Sequence, residues 1–193
     1  MALRIYGNRQ LKTVPGRETR PTPARVREAL FNIWQGNVSG CRWLDLCSGT
    51  GAMGAEALCR GAASVIGIEQ SGRACSVIQQ NWRQVAAADQ QFQVMRGNVV
   101  HLLPRLAGQQ FDRIYFDPPY ASDLYEPVLG AIAQHQLLAT DGELAVEHDR
   151  GRSLPSNWEV PAKQDRSTLE RSLAICREKV YGTTAVTFYY NVL

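Results

Sequence analysis

From Arg42 onward, short apolar runs alternate with segments whose apolar residues recur every three or four positions. The short runs are rich in β-branched and aromatic residues, as in Leu44-Asp45-Leu46, Val65-Ile66-Gly67-Ile68 and Ile114-Tyr115-Phe116. They predict strands near 42–46, 64–69, 92–96, 112–117, 143–147, 172–180 and 184–191. The longer period predicts helices near 52–59, 71–87, 98–106 and 124–137. Alternating βα units imply an α/β fold, a mostly parallel seven-stranded sheet with helices on both faces. Only Gly182-Thr183 separates the last two strands, too little for a crossover helix, so they should form an antiparallel hairpin.

The first 36 residues read differently. Residues 1–14 carry alternating apolar positions (Leu3, Ile5, Leu11, Val14) broken by Gly7, which suggests a small hairpin. Thr22 is placed as an N-cap with Pro23 at the first helical position, and Val26, Ala29, Leu30, Ile33 and Trp34 follow as a core-facing stripe. Arg25, Arg27 and Glu28 fall off that stripe. This divides the chain into a hairpin-plus-helix extension, 1–36, and a main domain, 37–193. The segment 149–171 is polar and proline-containing and reads as a long loop, whose arginines suit RNA and a solvated surface equally.

Two motifs carry chemistry. In Leu44-Asp45-Leu46-Cys47-Ser48-Gly49-Thr50-Gly51-Ala52-Met53-Gly54 an apolar strand runs into a glycine loop that opens a helix. Glycines there permit a tight turn, close approach of backbone to a ligand and close helix–strand packing. The next strand ends in Glu69, 20 positions after Gly49, where an acid suits a ribose diol. The spacing fits a nicotinamide dinucleotide as well as another adenosine cofactor.

The second motif, Asp117-Pro118-Pro119-Tyr120, ends the Ile114–Phe116 run. Pro119 keeps Pro118 extended, and neither proline has an N–H to donate. A carboxylate, free carbonyls and an aromatic face would then meet at the end of a strand. Such a group accepts hydrogen bonds from an amine and stacks a flat ring. A rigid turn with a surface tyrosine is the other reading of the same four residues.

Composition adds a basic arm. Residues 1–30 hold seven basic side chains (Arg4, Arg9, Lys12, Arg17, Arg20, Arg25, Arg27) against Glu18 and Glu28, although the whole chain is only +3. A phosphate backbone suits such an arm. No apolar run has the length of a membrane span, and the start lacks the apolar stretch of a signal peptide. Five cysteines (41, 47, 59, 75 and 176) and three histidines show no metal spacing, so reduced, mostly buried thiols, no metal and a cytoplasmic setting are expected.

Together the motifs resemble S-adenosylmethionine-dependent methyltransferases of amino groups, with a cofactor loop followed by an Asp/Asn-Pro-Pro-aromatic loop. Arg4-Ile5, Thr19-Arg20-Pro21-Thr22, Arg25 to Asn32, Glu56 to Ala62 and Tyr181-Gly182-Thr183 narrow the resemblance to the RsmD family. Those bacterial enzymes methylate the exocyclic N2 of a guanine in 16S ribosomal RNA. The resemblance implies a Rossmann-like class I methyltransferase fold and S-adenosylmethionine as cofactor. It further implies cofactor contacts from Asp45, Ser48, Gly49, Thr50, Gly51, Glu69, Gln70, Asn98 and Val99, with Asp45 near the cofactor's ammonium, Glu69 on the ribose and Asn98 and Val99 facing the adenine. Asp117, Pro118, Pro119 and Tyr120 are implied as catalytic, with Asp117 and the Pro118 carbonyl accepting the N2 hydrogens and Tyr120 stacking on the base. Arg4, Arg20, Thr22, Arg25 and Arg27 are implied as RNA contacts. The partner would be 16S rRNA, within a small-subunit assembly particle, and the enzyme a monomer. The chain departs from the family at Cys47, where Phe is usual, and at Asn98, where Asp is common.

Three alternatives use parts of the same pattern. An N6-adenine methyltransferase of other RNA or DNA shares the tetrapeptide, a nicotinamide oxidoreductase shares the glycine spacing, and a non-catalytic RNA-binding factor could share the fold.

Overall fold

The computed structural model describes residues 3–14, 24–158 and 172–192. They form two compact units, 1–99 and 100–193.

The first unit opens with a two-stranded antiparallel hairpin, β1 (Leu3–Ile5) and β2 (Arg9–Leu11), joined by a 3-10 turn at Tyr6–Asn8. Helix α1 (Ala24–Ile33) follows; the expected cap at Thr22 and Pro23 lies outside the described residues. Strand β3 (Arg42–Leu46), helix α2 (Ala52–Cys59), strand β4 (Ser64–Glu69), helix α3 (Gly72–Val85) and strand β5 (Gln91–Arg96) then alternate as their apolar runs predict. The strands are parallel, with β4 between β3 and β5, and Leu46 lies opposite Ile68. That register brings the glycine loop and Glu69 to neighbouring strand ends.

Trp82 organises this unit. Its side chain is fully buried, and its Nε1–H donates to the Gly51 carbonyl at 2.7 Å. A Cβ on Gly54 would lie 2.3 Å from Trp82 Cζ2, and one on Gly67 2.5 Å from Trp82 Cη2. A Cβ on Gly51, whose φ is +71°, would meet the same indole at 2.8 Å. The glycines at 49, 51 and 54 are expected to admit a ligand and to let helix pack on strand; those at 51, 54 and 67 make room for the protein's own Trp82.

Asn81, one residue away and buried, pairs with the main chain of Lys12 in both directions, at 2.9 and 3.0 Å, and donates to the Thr50 carbonyl at 3.0 Å. The basic arm is thereby tied to the glycine loop. A second buried link corrects the helical stripe of α1. Arg27 is only 2% exposed, not on the polar face. Its Nε donates to Glu56 at 2.6 Å and its Nη2 to the Arg4 carbonyl at 2.7 Å. Glu56 also accepts Arg60 at 2.9 Å, and the Arg60 guanidinium packs between the Tyr6 and Phe31 rings.

In the second unit a 3-10 turn, Leu103–Leu106, continues the single α-turn α4 (Val99–Leu102), where one helix over 98–106 was expected; Pro104 lacks the N–H that an α ladder would use. Strand β6 (Phe111–Phe116), helix α5 (Tyr125–Gln134) and strand β7 (Leu138–Asp149) follow, with β6 and β7 parallel. β7 is more than twice the expected length because residues 138–142 continue it through Thr140 and Asp141, polar positions that hide a strand from pattern reading, and it runs on to Asp149. Strand β9 (Ser172–Tyr181) and β10 (Thr184–Val192) make the expected antiparallel hairpin, and β10 also pairs antiparallel with β7. An eighth strand beyond the expected seven, β8 (Asn157–Trp158), pairs with β9 inside the segment read as a loop. It is too short to show periodicity. Residues 159–171, with Arg166 and Arg171, lie outside the described residues. Of the cysteines, 41 and 75 are buried, 47 and 59 half-buried and 176 exposed, none in a disulfide, so burial is less general than expected.

Two stability predictions follow from these contacts. Gly54→Ala forces the α2 backbone off the indole and should cost about 1–3 kcal/mol. Combining it with Trp82→Leu should cost less than the sum of the two, read by urea denaturation. Arg27→Ala leaves a buried Glu56 short of its partner and should cost about 3–5 kcal/mol. Arg25→Ala, on an exposed position of the same helix, should leave the midpoint unchanged.

Candidate active site

The glycine loop leaves β3 in left-handed backbone: φ is +60° at Cys47, +55° at Gly49 and +71° at Gly51. Cys47 is the costly member, since an L side chain in this region is strained by about 1–2 kcal/mol. Two carboxylates hold the loop. Asp45 is 1% exposed, and its Oδ2 accepts the Gly54 N–H at 3.1 Å. Gly54 is the third residue of α2, whose N-cap, Gly51, has no side chain to cap with. Asp45 therefore caps the helix from the neighbouring strand. Burial pushes its carboxyl up to about 8; the Gly54 bond opposes that rise and the Glu69 charge adds to it.

Glu69 bridges two amides, Oε2 to Gly49 N–H at 2.9 Å and Oε1 to Ser71 N–H at 2.8 Å. It is half-buried, and each oxygen keeps a lone pair, so a vicinal diol can still donate to it. Ser48 Oγ donates to the Asp45 carbonyl at 2.7 Å, and the Thr50 carbonyl is the one Asn81 holds. Gln70 is exposed just beyond Glu69. Asn98 is half-buried after β5, and Val99 is buried at the start of α4. A carboxyl that burial has left poised to ionise and a carboxylate open to hydroxyls fit the ammonium and ribose of S-adenosylmethionine.

In the second unit Asp117 leaves the end of β6 half-buried, Pro118 is buried and Pro119 exposed. The Pro119 carbonyl is not free as expected, because it accepts the Ser122 N–H at 2.8 Å. Tyr120 is held at both ends. Its carbonyl accepts Arg152 Nη2 at 3.0 Å, and its hydroxyl lies 2.9 Å from both Glu147 Oε1 and Thr184 Oγ1. Burial raises the Tyr120 and Tyr125 hydroxyls well above the ordinary tyrosine range, and the Asp117 and Glu147 charges add to the rise. Both phenols stay protonated. The Arg152 guanidinium covers the Tyr125 ring at 4.3 Å.

The five candidate RNA contacts divide. Arg4 and Arg25 are exposed, Arg4 bonding Asn8 at 3.3 Å. Arg27 is enclosed with Glu56, which corrects its place among surface contacts. Arg20 and Thr22 lie outside the described residues. Sequence reasoning missed Asn81, Trp82, Glu147 and Thr184. Of these only Glu147, an acid that directly follows the apolar run Leu144-Ala145-Val146, breaks its local pattern.

Among the described residues no three His, Cys, Asp or Glu side chains could hold a metal, and no helix is long and apolar enough to cross a membrane. The model of the family described as "Conserved hypothetical protein 95" matches residues 3–190. Bacillus subtilis YlbH is 32% identical over 183 residues, 94% of this chain and 92% of its own length. Ribosomal RNA small subunit methyltransferase D of Escherichia coli is 29% identical, covering 97% of this chain and 89% of its own. The solved structure of Escherichia coli YhhF superposes with a TM-score of 0.77 at 30% identity, over 98% of this chain and 97% of that one. The Rossmann-like methyltransferase fold expected from the motifs is therefore present, and the chain belongs to the RsmD family of ribosomal RNA methyltransferases.

Proposed function

We propose that this protein transfers the methyl group of S-adenosylmethionine to the exocyclic N2 amine of a guanine in 16S rRNA. The observation that carries the reading is the Asp117-Pro118-Pro119-Tyr120 turn, which leaves β6 with a carboxylate and a ring anchored at its hydroxyl. Such a turn suits a flat base bearing an amino group. The RsmD-named relatives point to ribosomal RNA of the small subunit, and a solved neighbour of the same fold is complexed with S-adenosylhomocysteine.

The cofactor, when bound, supplies a methyl group on a sulfonium, already a good leaving group. The chain's own residues do the rest. Asp45 faces the ammonium, Glu69 takes the ribose hydroxyls, and Asn98 and Val99 flank the adenine, with Ser48, Gly49, Thr50, Gly51 and Gln70 completing the loop contacts. The guanine N2 lone pair is delocalised into its ring. Asp117 and the Pro118 carbonyl accept hydrogen bonds from the two N2 hydrogens and draw the nitrogen toward a pyramidal shape; the proton that the methyl group displaces from N2 is released to solvent. The Tyr120 ring stacks on the base, worth about 1–3 kcal/mol. Alignment of two reactants supplies about 7–11 kcal/mol of a barrier, so positioning and polarisation suffice. The base must leave its stack, which is cheapest in a loop. The exposed Arg4 and Arg25, with Arg20 and Thr22, form the RNA-facing part of the 1–36 extension; the protein acts as a cytoplasmic monomer on a small-subunit assembly particle.

Labelled methyl transfer to 16S RNA, naked and in small-subunit particles, followed by nucleoside digestion, should yield N2-methylguanosine. Asp117→Ala should abolish transfer and leave cofactor affinity nearly intact; loss of cofactor binding in that variant contradicts the assigned role.

Asp45 adds a pH signature. Its carboxyl is neutral below about pH 8 in the free protein, and a bound ammonium favours the ionised form. Binding below that pH must release a proton. Affinity should therefore rise with pH, by at most about tenfold per unit, and level off near pH 8. Calorimetry in buffers of different ionisation heat should detect the proton, and Asp45→Asn should remove it.

A further inference from the structure

We propose that Glu147, assisted by Thr184, is a positioning residue that fixes the Tyr120 ring in the orientation in which it receives the target base. The inference rests on the proposed methyl transfer to a guanine amine and adds a residue to it.

Glu147 lies on β7 and is 2% exposed, in a run of buried residues that begins at Leu144. A buried carboxylate is costly unless hydrogen bonds compensate. Here three tyrosines surround it. Tyr120 donates to Oε1 at 2.9 Å, Tyr115 donates to Oε2, and Tyr125 donates to the Glu147 carbonyl at 3.3 Å. Because the carboxylate takes the Tyr120 proton, the remaining bond at 2.9 Å has Thr184 Oγ1 as its donor. Both valences of one phenol oxygen are therefore filled by buried groups from two different strands, β7 and β10; Thr184 is 3% exposed and opens β10. With the Tyr120 carbonyl held by Arg152, the residue is fastened at its backbone and at its far end.

Fastening only one end of the tyrosine would leave the ring free to turn about its side-chain bonds. A ring that is already fixed loses no further freedom when a base stacks on it. It also keeps the target nitrogen in line, where a displacement of about 1 Å can cost about 100-fold in rate. An apolar residue at 147 would fill the same space without the cost of a buried charge. It would supply no acceptor for Tyr120. Tyr115 offers an internal comparison, since its hydroxyl reaches the same carboxylate from a ring that is 1% exposed and inside the core.

The test compares Tyr120→Phe, Glu147→Leu, Glu147→Gln, Thr184→Val and Tyr115→Phe. Single-turnover methyl transfer to 16S RNA is measured at saturating RNA, beside S-adenosylmethionine affinity and thermal stability. Tyr120→Phe and Glu147→Leu should slow transfer by about 10–100-fold with cofactor affinity retained. Glu147→Gln, which keeps an acceptor, should recover most of the rate. Tyr115→Phe removes an equally buried bond to the same carboxylate and should leave the rate close to that of the unmodified protein. Should Glu147→Leu fail to fold, Tyr120→Phe and Thr184→Val carry the comparison. The proposal fails if Tyr120→Phe transfers at the unmodified rate, or if Tyr115→Phe is as damaging.

A substrate-independent readout separates this failure from failure of the proposed reaction. NMR of side-chain-labelled tyrosine should show a single rotamer about the Cα–Cβ bond for Tyr120 in the unmodified protein, and rotamer averaging in Thr184→Val and Glu147→Leu. Rotamer averaging in the unmodified protein overturns the proposal even if RNA is methylated. A single rotamer with no methyl transfer to RNA overturns the substrate reading and leaves the clamp in place.

Discussion

The indole of Trp82 sets the geometry of the first unit. It fills the space that three missing side chains leave at Gly51, Gly54 and Gly67, and its N–H fixes the carbonyl of Gly51. Strand β4, helix α2 and the glycine loop can approach as they do because each yields a Cβ to the same ring. Interiors are packed as densely as organic crystals, so a solid ring at this place determines the path of the backbone over it. The loop's upper surface is thus a consequence of what lies beneath, and Asp45 and Glu69 complete it by taking the amides the loop turns inward.

Acidic groups recur at the strand ends, in different surroundings. Asp45 is deep enough for burial to hold a proton on it, whereas Glu69 sits at the rim and spends its oxygens on main-chain amides. In the second unit, Glu147 is buried and accepts the Tyr120 and Tyr115 hydroxyls. Depth and the identity of neighbours separate the three carboxylates. Their sequence contexts do not, since each is an acid in or at the end of an apolar strand.

Features legible in the sequence are those with local causes. Apolar runs such as Val65–Ile68 and Ile114–Phe116 announce strands, and Gly182-Thr183 leaves room only for a hairpin. Asp45, Glu69 and Asp117 could be marked as candidate site residues because strand ends carry chemistry in α/β sheets. Illegible features depend on partners far along the chain. Arg27 reads as a surface charge until Glu56, 29 positions later, is seen to enclose it. Trp82 reads as one more core residue on α3, because its three glycines lie 15 to 31 positions away. Glu147 looks misplaced in β7 until Tyr115 and Tyr120 arrive from β6 and the turn after it. Strand β8 is two residues long, below any period a pattern can reveal.

The amide of Asn81 holds Lys12 on one side and Thr50 on the other, across 69 and 31 positions of chain. The arm and the glycine loop thus share one side chain through their main-chain atoms, so the backbone position of each is tied to that of the other. An insertion in the hairpin, a substitution at 81 or a shift of the loop would each be felt at the remaining two. What reads along the chain as an attached arm is, at Lys12, held in place by the same amide that holds the loop.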